Sequence, residues 1–379
     1  MVKKAEPVFK IQNIGIIGAG LMGVEIAAAN VRHGYPVFIY DSNPSMLESV
    51  RYRAAMELAD VPDEALREEM VLNIFPCDFM DLGACELIIE AIPESFDLKR
   101  QLYEDAKSIV RPGSIFASNT STIPIERLAE VFPSPKMFIG LHFLHPVRDR
   151  ELVEIIPSTK VCEVVTQRLC DYALAIEKTP LCVGDCPGFV VNRLLQPYIN
   201  EAILLLQDGV SMEMVEKAAA RFGMEWGPLR IMDEIGLDIV WHSGKILYES
   251  YPDRVLPSPI LVSMVKKKLL GRKTGAGFYT WGHDWAENVH NRDFEPMAFN
   301  PDVQEIIEKW QRDGTLRISL TEIAGRLAAA MAMEGARIIR DDVVSEQGQV
   351  DMAAVIGLGF PEAKRGPLAW FAKESQSLR

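Results

Sequence analysis

His142 and Glu154 are where a chemical reading of this chain starts. An imidazole has an unperturbed pKa near neutrality, so it can take up and return a proton at physiological pH. Oxidising an alcohol to a carbonyl needs such a base for the hydroxyl proton, an acceptor for the hydride, and donors for the oxygen that becomes the carbonyl. Glu154, twelve residues after His142, could hold the ring and stabilise the imidazolium. The hydride acceptor has its own mark in Gly18-Ala19-Gly20-Leu21-Met22-Gly23, which follows an apolar stretch and precedes good helix formers. In that pattern Gly18 permits a tight turn, Gly20 the close approach of a pyrophosphate, and Gly23 the packing of helix on strand. The phosphates would rest on free N–H groups at the helix N-terminus. Asp41 lies 18 residues beyond Gly23. A carboxylate there accepts a ribose 2′-OH and repels a 2′-phosphate, so NAD is expected rather than NADP. Asp41-Ser42-Asn43-Pro44 is also good turn chemistry.

These residues need strands that end side by side. Residues 36–41, 85–92, 114–118, 137–142 and 152–156 read as buried strands, and 45–74 and 98–110 as helical. The alternation predicts an α/β, Rossmann-type domain over residues 1–185, with a doubly wound parallel sheet and ligands at the carboxyl ends of its strands. His142 would then end a strand and face the crevice. From Cys186 onward helix-period segments dominate, at 189–208, 212–222, 235–249, 302–312 and 320–340. A mostly α-helical second half is expected. The glycine-rich stretch 271–279 reads as a loop closing one helical unit, and 282–300, with His283 and His290, as a polar, solvated linker. The helical half repeats itself. Asn192-Arg193-Leu194, Glu201-Ala202 and Asp208-Gly209-Val210 parallel Gly325-Arg326-Leu327, Glu334-Gly335 and Asp341-Asp342-Val343 at an offset of 133. Two helical domains follow, 186–300 and a degenerate copy at 301–379.

Six motifs run in order: Gly18-Ala19-Gly20-Leu21-Met22-Gly23, Glu94-Ser95-Phe96-Asp97-Leu98-Lys99, Ser118-Asn119-Thr120-Ser121, Gly140-Leu141-His142-Phe143, Leu152-Val153-Glu154, and Pro187-Gly188-Phe189-Val190-Val191-Asn192-Arg193. Their intervals, 27 residues from Glu94 to Ser121, 21 on to His142 and 50 on to Asn192, resemble the 3-hydroxyacyl-CoA dehydrogenases across residues 13–281. The resemblance implies NAD-dependent oxidation of an L-3-hydroxyacyl-CoA to the 3-ketoacyl-CoA. It makes His142 the base, Glu154 its partner, and Ser121 and Asn192 the donors to the substrate oxygen, with Ser121 near the nicotinamide. Gly18 to Gly23, Asp41, Pro93, Glu94, Lys99, His145 and Lys273 match cofactor-side positions. Read without it, Ser121 and Asn192 could each cap a helix, and Glu94 with Lys99 could be a solvated pair.

The second helical copy, with Gly357-Leu358-Gly359-Phe360-Pro361 and Gly366-Pro367, resembles the tandem C-terminal domains of the multifunctional fatty-acid oxidation enzymes. Those domains are 6-phosphogluconate-dehydrogenase-C-terminal-like. Gly325 stands where Asn192 stands in the first copy, so a structural role is expected for it. The duplication implies a monomer with an internal pseudo-dimer, and the resemblance implies possible association with a hydratase or thiolase. Three features depart from the pattern: His145 replaces an asparagine, Ile356 replaces a tyrosine, and the segment between Asp41 and Glu94 is short and lacks a lysine-rich run. They leave a non-CoA hydroxy acid as an alternative substrate, and a non-catalytic protein retaining the fold as an alternative class.

The totals agree with an enzyme of small molecules. A formal charge of −13 argues against general nucleic-acid binding, which shows a basic face. No apolar run reaches membrane-span length, and the first residues lack the apolar core of a signal peptide. Cysteines 77, 85, 162, 170, 182 and 186 have no zinc-site spacing, and His142 and His145 lack a third ligand, so no metal is expected. Reduced, mostly buried thiols in a cytoplasmic protein are the expectation.

Overall fold

The computed structural model describes residues 10–254, 256–282, 295–312, 314 and 316–377. The chain divides after Cys186 into two compact units.

The first unit opens with β1 (Ile14–Ile17), α1 (Leu21–Arg32) and β2 (Val37–Tyr40). Three short helices follow, α2 (Pro44–Glu48), α3 (Val50–Glu57) and α4 (Glu64–Leu72), where one helical run was expected. The break between α3 and α4 falls where Asp63 begins a new helix, its carboxylate accepting from Leu66 N–H. Next come β3 (Ile74–Pro76), β4 (Leu87–Glu90), α5 (Phe96–Ala106), β5 (Ile115–Ser118) and α6 (Ile125–Val131). The unit closes with β6 (Phe138–Phe143), β7 (Leu152–Pro157), α7 (Glu163–Ala175) and β8 (Thr179–Cys182). All eight strands join one sheet in the order β3-β2-β1-β4-β5-β6-β7-β8. Ile14, Ile16, Ile39, Leu87, Ile89 and Ile115, with no exposed surface, form the core between sheet and helices.

The sheet is not wholly parallel. β7 pairs antiparallel with β6, whereas β3 through β6 are parallel. A parallel return needs a crossover of a dozen or more residues, and the connection from Phe143 to Leu152 is too short for one. The thiols also differ from expectation: Cys85 is buried, but Cys182 is exposed and the other four are half-buried. Cys182 sits on the edge strand β8, where one side of the ladder meets solvent.

The second unit is helical. It contains α8 (Val191–Gln207), α9 (Met212–Phe222), α10 (Pro228–Ile235), α11 (Leu237–Ser250) and α12 (Pro259–Lys266). A small antiparallel ribbon follows, β9 (Tyr279–Thr280) with β10 (Ala298–Phe299), so the end of the expected linker is structured; His283 and His290 lie outside the described residues. Then come α13 (Pro301–Trp310), α14 (Leu320–Arg340), α15 (Gln347–Leu358) and α16 (Pro367–Ser377). The glycine-rich loop is clamped by Asp233, whose carboxylate accepts from Phe278 N–H at 2.8 Å, Tyr279 N–H at 3.0 Å and Trp281 Nε1–H at 3.1 Å. Burial pushes that carboxyl up to about 7, against three donors that favour its charged form.

α8 and α14 carry a reciprocal pair of ion pairs. Buried Arg193, early in α8, meets Glu334 late in α14 at 2.6 Å, and Arg326, early in α14, meets Glu201 late in α8 at 2.5 Å. The two helices therefore run antiparallel. Each helix pair that follows uses the same device: Glu216 of α9 accepts from Leu229 N–H of α10 at 2.8 Å, and Asp351 of α15 accepts from Leu368 N–H of α16 at 2.8 Å.

Candidate active site

The carboxyl ends of β1, β2, β4, β5 and β6 lie along one edge of the sheet, because these strands are parallel and in register. The strand order reverses between β1 and β4, and a crevice at that switch point is where open α/β sheets hold their ligands. The Gly18–Gly23 turn leaves β1 at this edge. Gly18 adopts φ +106°, and a Cβ there would lie 2.5 Å from Ala91 O. At Gly23 a Cβ would lie 1.8 Å from Gly18 O, so strand and helix meet with no room for a side chain. A Cβ on Gly20 would meet nothing within 4 Å, the open approach that a pyrophosphate requires beside the first turn of α1. Asp41, at the end of β2, accepts from Ala19 N–H at 2.8 Å and from Asn43 N–H at 2.8 Å. The turn reading and the ribose reading of Asp41 are thus compatible: one carboxylate shapes both loops. These residues fit a dinucleotide.

His142 and Glu154 are direct cross-strand partners in the β6–β7 register. Opposed residues in an antiparallel pair present their side chains to the same face, which brings His142 Nδ1 to 2.7 Å from Glu154 Oε2. Glu154 has no exposed surface and His142 little. A buried carboxylate can only accept at this distance, so the ring donates Nδ1–H to it and keeps Nε2 as the acceptor. The antiparallel direction of β7, which sequence reading missed, is what assembles this dyad.

Glu94, with Pro93 in the loop after β4, organises the turn after β5. Its Oε1 accepts from Thr120 Oγ1–H at 2.6 Å, Ser121 N–H at 3.0 Å, and Thr122 N–H and Oγ1–H at 2.9 Å. Burial opposes its ionisation, but Lys99 and the threonine donors outweigh that and hold it below the ordinary carboxylate value. Ser121 is held here, and it does not begin a helix: Pro124 occupies the cap of α6. Lys99 and Glu94 are not a solvated pair. Lys99 is 1% exposed, with Nζ 2.6 Å from Glu90 and 3.5 Å from Glu94.

Glu90 went unnoticed in the sequence. It is fully buried at the end of β4 and accepts from Lys99 Nζ–H, from Tyr103 O–H at 3.0 Å and from Ser118 Oγ–H at 2.8 Å. An acid closing an apolar strand, nine residues before a lysine, was the available signal. Glu25 was missed as well: it lies 2.9 Å from His145 Nδ1 and accepts from Val147 N–H at 2.8 Å, tying the segment after β6 to α1. Asn119 joins the ends of β5 and β6 by accepting from Phe143 N–H at 2.8 Å. Asn192 lies in the first turn of α8 and Lys273 in the glycine-rich loop, paired with Asp238, both in the second unit. Among the described residues no three His, Cys, Asp or Glu side chains gather as metal ligands, and no helix is long and apolar enough to cross a membrane.

Residues 13–186 match the family described as 3-hydroxyacyl-CoA dehydrogenase, NAD binding domain, and residues 188–281 match its C-terminal domain. The fatty acid oxidation complex subunit alpha of Acinetobacter baylyi is 33% identical over 377 residues, 96% of this chain and 51% of that protein. The chain thus spans about half the length of the curated relatives it matches. A crystal structure of 3-hydroxybutyryl-CoA dehydrogenase from Escherichia coli aligns with a TM-score of 0.78 at 26% identity, covering 96% of this chain and 92% of that one. The (S)-3-hydroxybutyryl-CoA dehydrogenase of Ralstonia eutropha aligns with a TM-score of 0.67 at 33% identity, covering 72% of this chain and all of that one. With both domain descriptions matched in sequence order and an NAD-type glycine turn on the same sheet edge as the His142–Glu154 dyad, the chain belongs to the 3-hydroxyacyl-CoA dehydrogenase family.

Proposed function

We propose that this chain oxidises an L-3-hydroxyacyl-CoA to the 3-ketoacyl-CoA, in fatty-acid oxidation or a related acyl-CoA pathway. The observation that carries the reading is the 2.7 Å His142–Glu154 contact at the carboxyl edge of an NAD-binding sheet. NAD, when bound, supplies the hydride acceptor. His142 Nε2 takes the hydroxyl proton, and Glu154 steadies the imidazolium that results. Ser121 and Asn192 donate to the oxygen as it becomes a carbonyl, a role worth most where donors are held in place beforehand. Glu94 supports that role by fixing the Ser121 turn. Gly18, Ala19, Gly20, Leu21, Met22 and Gly23 hold the pyrophosphate, and Asp41 the ribose. Pro93, Glu94, His145 and Lys273 line the cofactor side. Lys99, spent on Glu90, acts through Glu94. The direct test is NADH oxidation with acetoacetyl-CoA and longer 3-ketoacyl-CoA thioesters. Turnover supports the reading, and none with any chain length rejects it.

The helices after residue 300 are, in this reading, a second copy of the first helical domain, paired with it about a pseudo-twofold axis. Reciprocal contacts are the signature of such an axis, and Arg193–Glu334 mirrored by Arg326–Glu201 at the 133-residue offset supports it. A monomer is then the basic unit, and sedimentation giving a tight dimer would reject it. Cytoplasmic location and association with a hydratase or thiolase are further proposals, the latter supported by the name of the relatives.

A further inference from the structure

The second unit contains a cavity of ≈ 350 Å³ bounded by α8, α11, the turn 256–258 and the start of α12. Its α8 wall carries Gln196, Ile199 and Ile203, at four, seven and eleven residues from Asn192. Those spacings return to one helical face, so the wall continues the face on which Asn192 stands. It extends from one turn to about 16 Å beyond Asn192, at ~1.5 Å per residue. α11 follows the same line. A Cβ on Gly188 would lie 3.5 Å from Asn192 Cβ and 3.0 Å from Leu247 of α11, and a Cβ on Gly244 of α11 would lie 3.3 Å from Gln196 Oε1. Val240, Trp241, Leu261 and Val262 complete an apolar lining, and the charged lining residues, Lys245 and Glu249, are exposed and paired with each other at 3.7 Å.

We propose that this groove holds the hydrocarbon tail of the substrate and sets a preference for medium-length acyl chains. The proposal rests on Asn192 gripping the substrate oxygen: the tail then runs from that oxygen along the α8 face into an apolar cavity. The volume selects the length. At ~30 Å³ per water-sized group the cavity has room for about a dozen, so a chain of roughly ten carbons fills it and a four-carbon chain leaves it empty. A concave cavity of this size falls within the range of small-molecule sites, ~300–1,000 Å³. A second protein copy needs a broad face of about 800 Å² instead.

The test compares kcat/KM of the full chain for four-, ten- and sixteen-carbon 3-ketoacyl-CoA thioesters, in the wild type and in Val262→Trp, which narrows the groove. Each buried methylene is worth about fourfold, so the ten-carbon thioester should exceed the four-carbon one by ~100-fold or more. Val262→Trp should cut that ratio at least ~10-fold, through KM. Equal values at all lengths, or an equal fall at all lengths in the variant, overturns the groove and leaves the dehydrogenase standing. Titration of decanoate against tryptophan fluorescence, with Trp241→Phe as control, reads the groove without turnover. A Trp241 response with no turnover on any thioester keeps the groove and rejects the dehydrogenase reading. No response attributable to Trp241 counts against the groove. A wild-type dimer split by Val262→Trp in sedimentation would give the groove to a second copy and overturn the proposal.

Discussion

At the scale of single residues the site is a pairing of one imidazole with one fully buried carboxylate. Glu154 is fully buried and in hydrogen-bond contact with Nδ1, so the ring opposite it is held in one tautomer as well as one orientation. Two substitutions separate these contributions. His142→Ala should lower kcat by ~10²- to 10⁴-fold, the usual worth of a positioned base, while the affinity for NADH measured by fluorescence stays near the wild-type value. Glu154→Gln keeps the shape but can present an amide N–H to Nδ1 and turn the ring to the wrong tautomer. It should lower kcat by ~10²-fold or more and shift the pH profile of kcat, whereas a purely structural role would leave that profile in place. The pairing of these two residues was legible in the sequence, as were the glycine turn and the place of Asp41 after β2, because residue type and local spacing carry them. Glu90 and Glu25 were not. Their partners, Lys99, Tyr103, Ser118 and His145, come together only in the folded sheet.

Elements show where local reading works and where it stops. β4 and β5 are short apolar runs bounded by polar residues, and they were plain. β8, Thr179-Pro180-Leu181-Cys182, has a proline and an exposed cysteine, features of an edge strand that periodicity does not register. α10 was hidden because it is only eight residues long and Pro228 starts it a few residues after α9 ends. The direction of β7 could have been inferred from the short connection before it. The glycine turn makes a firm expectation at this scale: Gly23→Ala would force α1 away from β1. Loss of NADH binding and a fall in Tm should both follow, since no side chain nearby can yield to a backbone oxygen at 1.8 Å.

The loop clamped by Asp233 should be pH-sensitive. Its folded value of about 7 stands above the ordinary 3.8 of a carboxyl, so the folded state binds the proton more tightly. The linked stability is fullest below pH 3.8 and is lost as pH rises toward about 7. Tm should therefore fall by a few degrees between pH 5 and 7.5 from this group, on the order of 1 kcal/mol at its working range. Asp233→Asn should be less stable throughout and flatten that slope, because its amide would face N–H donors. A slope unchanged in the variant would assign the pH dependence elsewhere.

At the scale of the whole molecule, the helices α8 and α14 decide how the second unit coheres. Arg193 is buried between Glu334 and Asp341, and Arg254 shares both partners. Arg193→Met would leave buried Glu334 undercompensated, at a cost of about 3 kcal/mol or more. Arg326→Met removes a more exposed member of the mirrored pair and should cost no more than ~1 kcal/mol. Equal Tm losses for the two would contradict the difference in their burial. The helical character of this half was evident from its periodicity, but which faces meet could not be read until Arg193 and Glu334 stood opposite each other.

That mirrored contact also changes what dilution and mutation do. Where two identical chains meet about an axis, assembly weakens as the protein is diluted, and one codon change strikes the interface twice. Here both helices belong to one chain, so the fraction joined is independent of concentration. Under the proposed duplication each side of this contact also has its own codons, and one helix can keep Asn192 while its counterpart carries Gly325, a division of labour that identical subunits cannot reach.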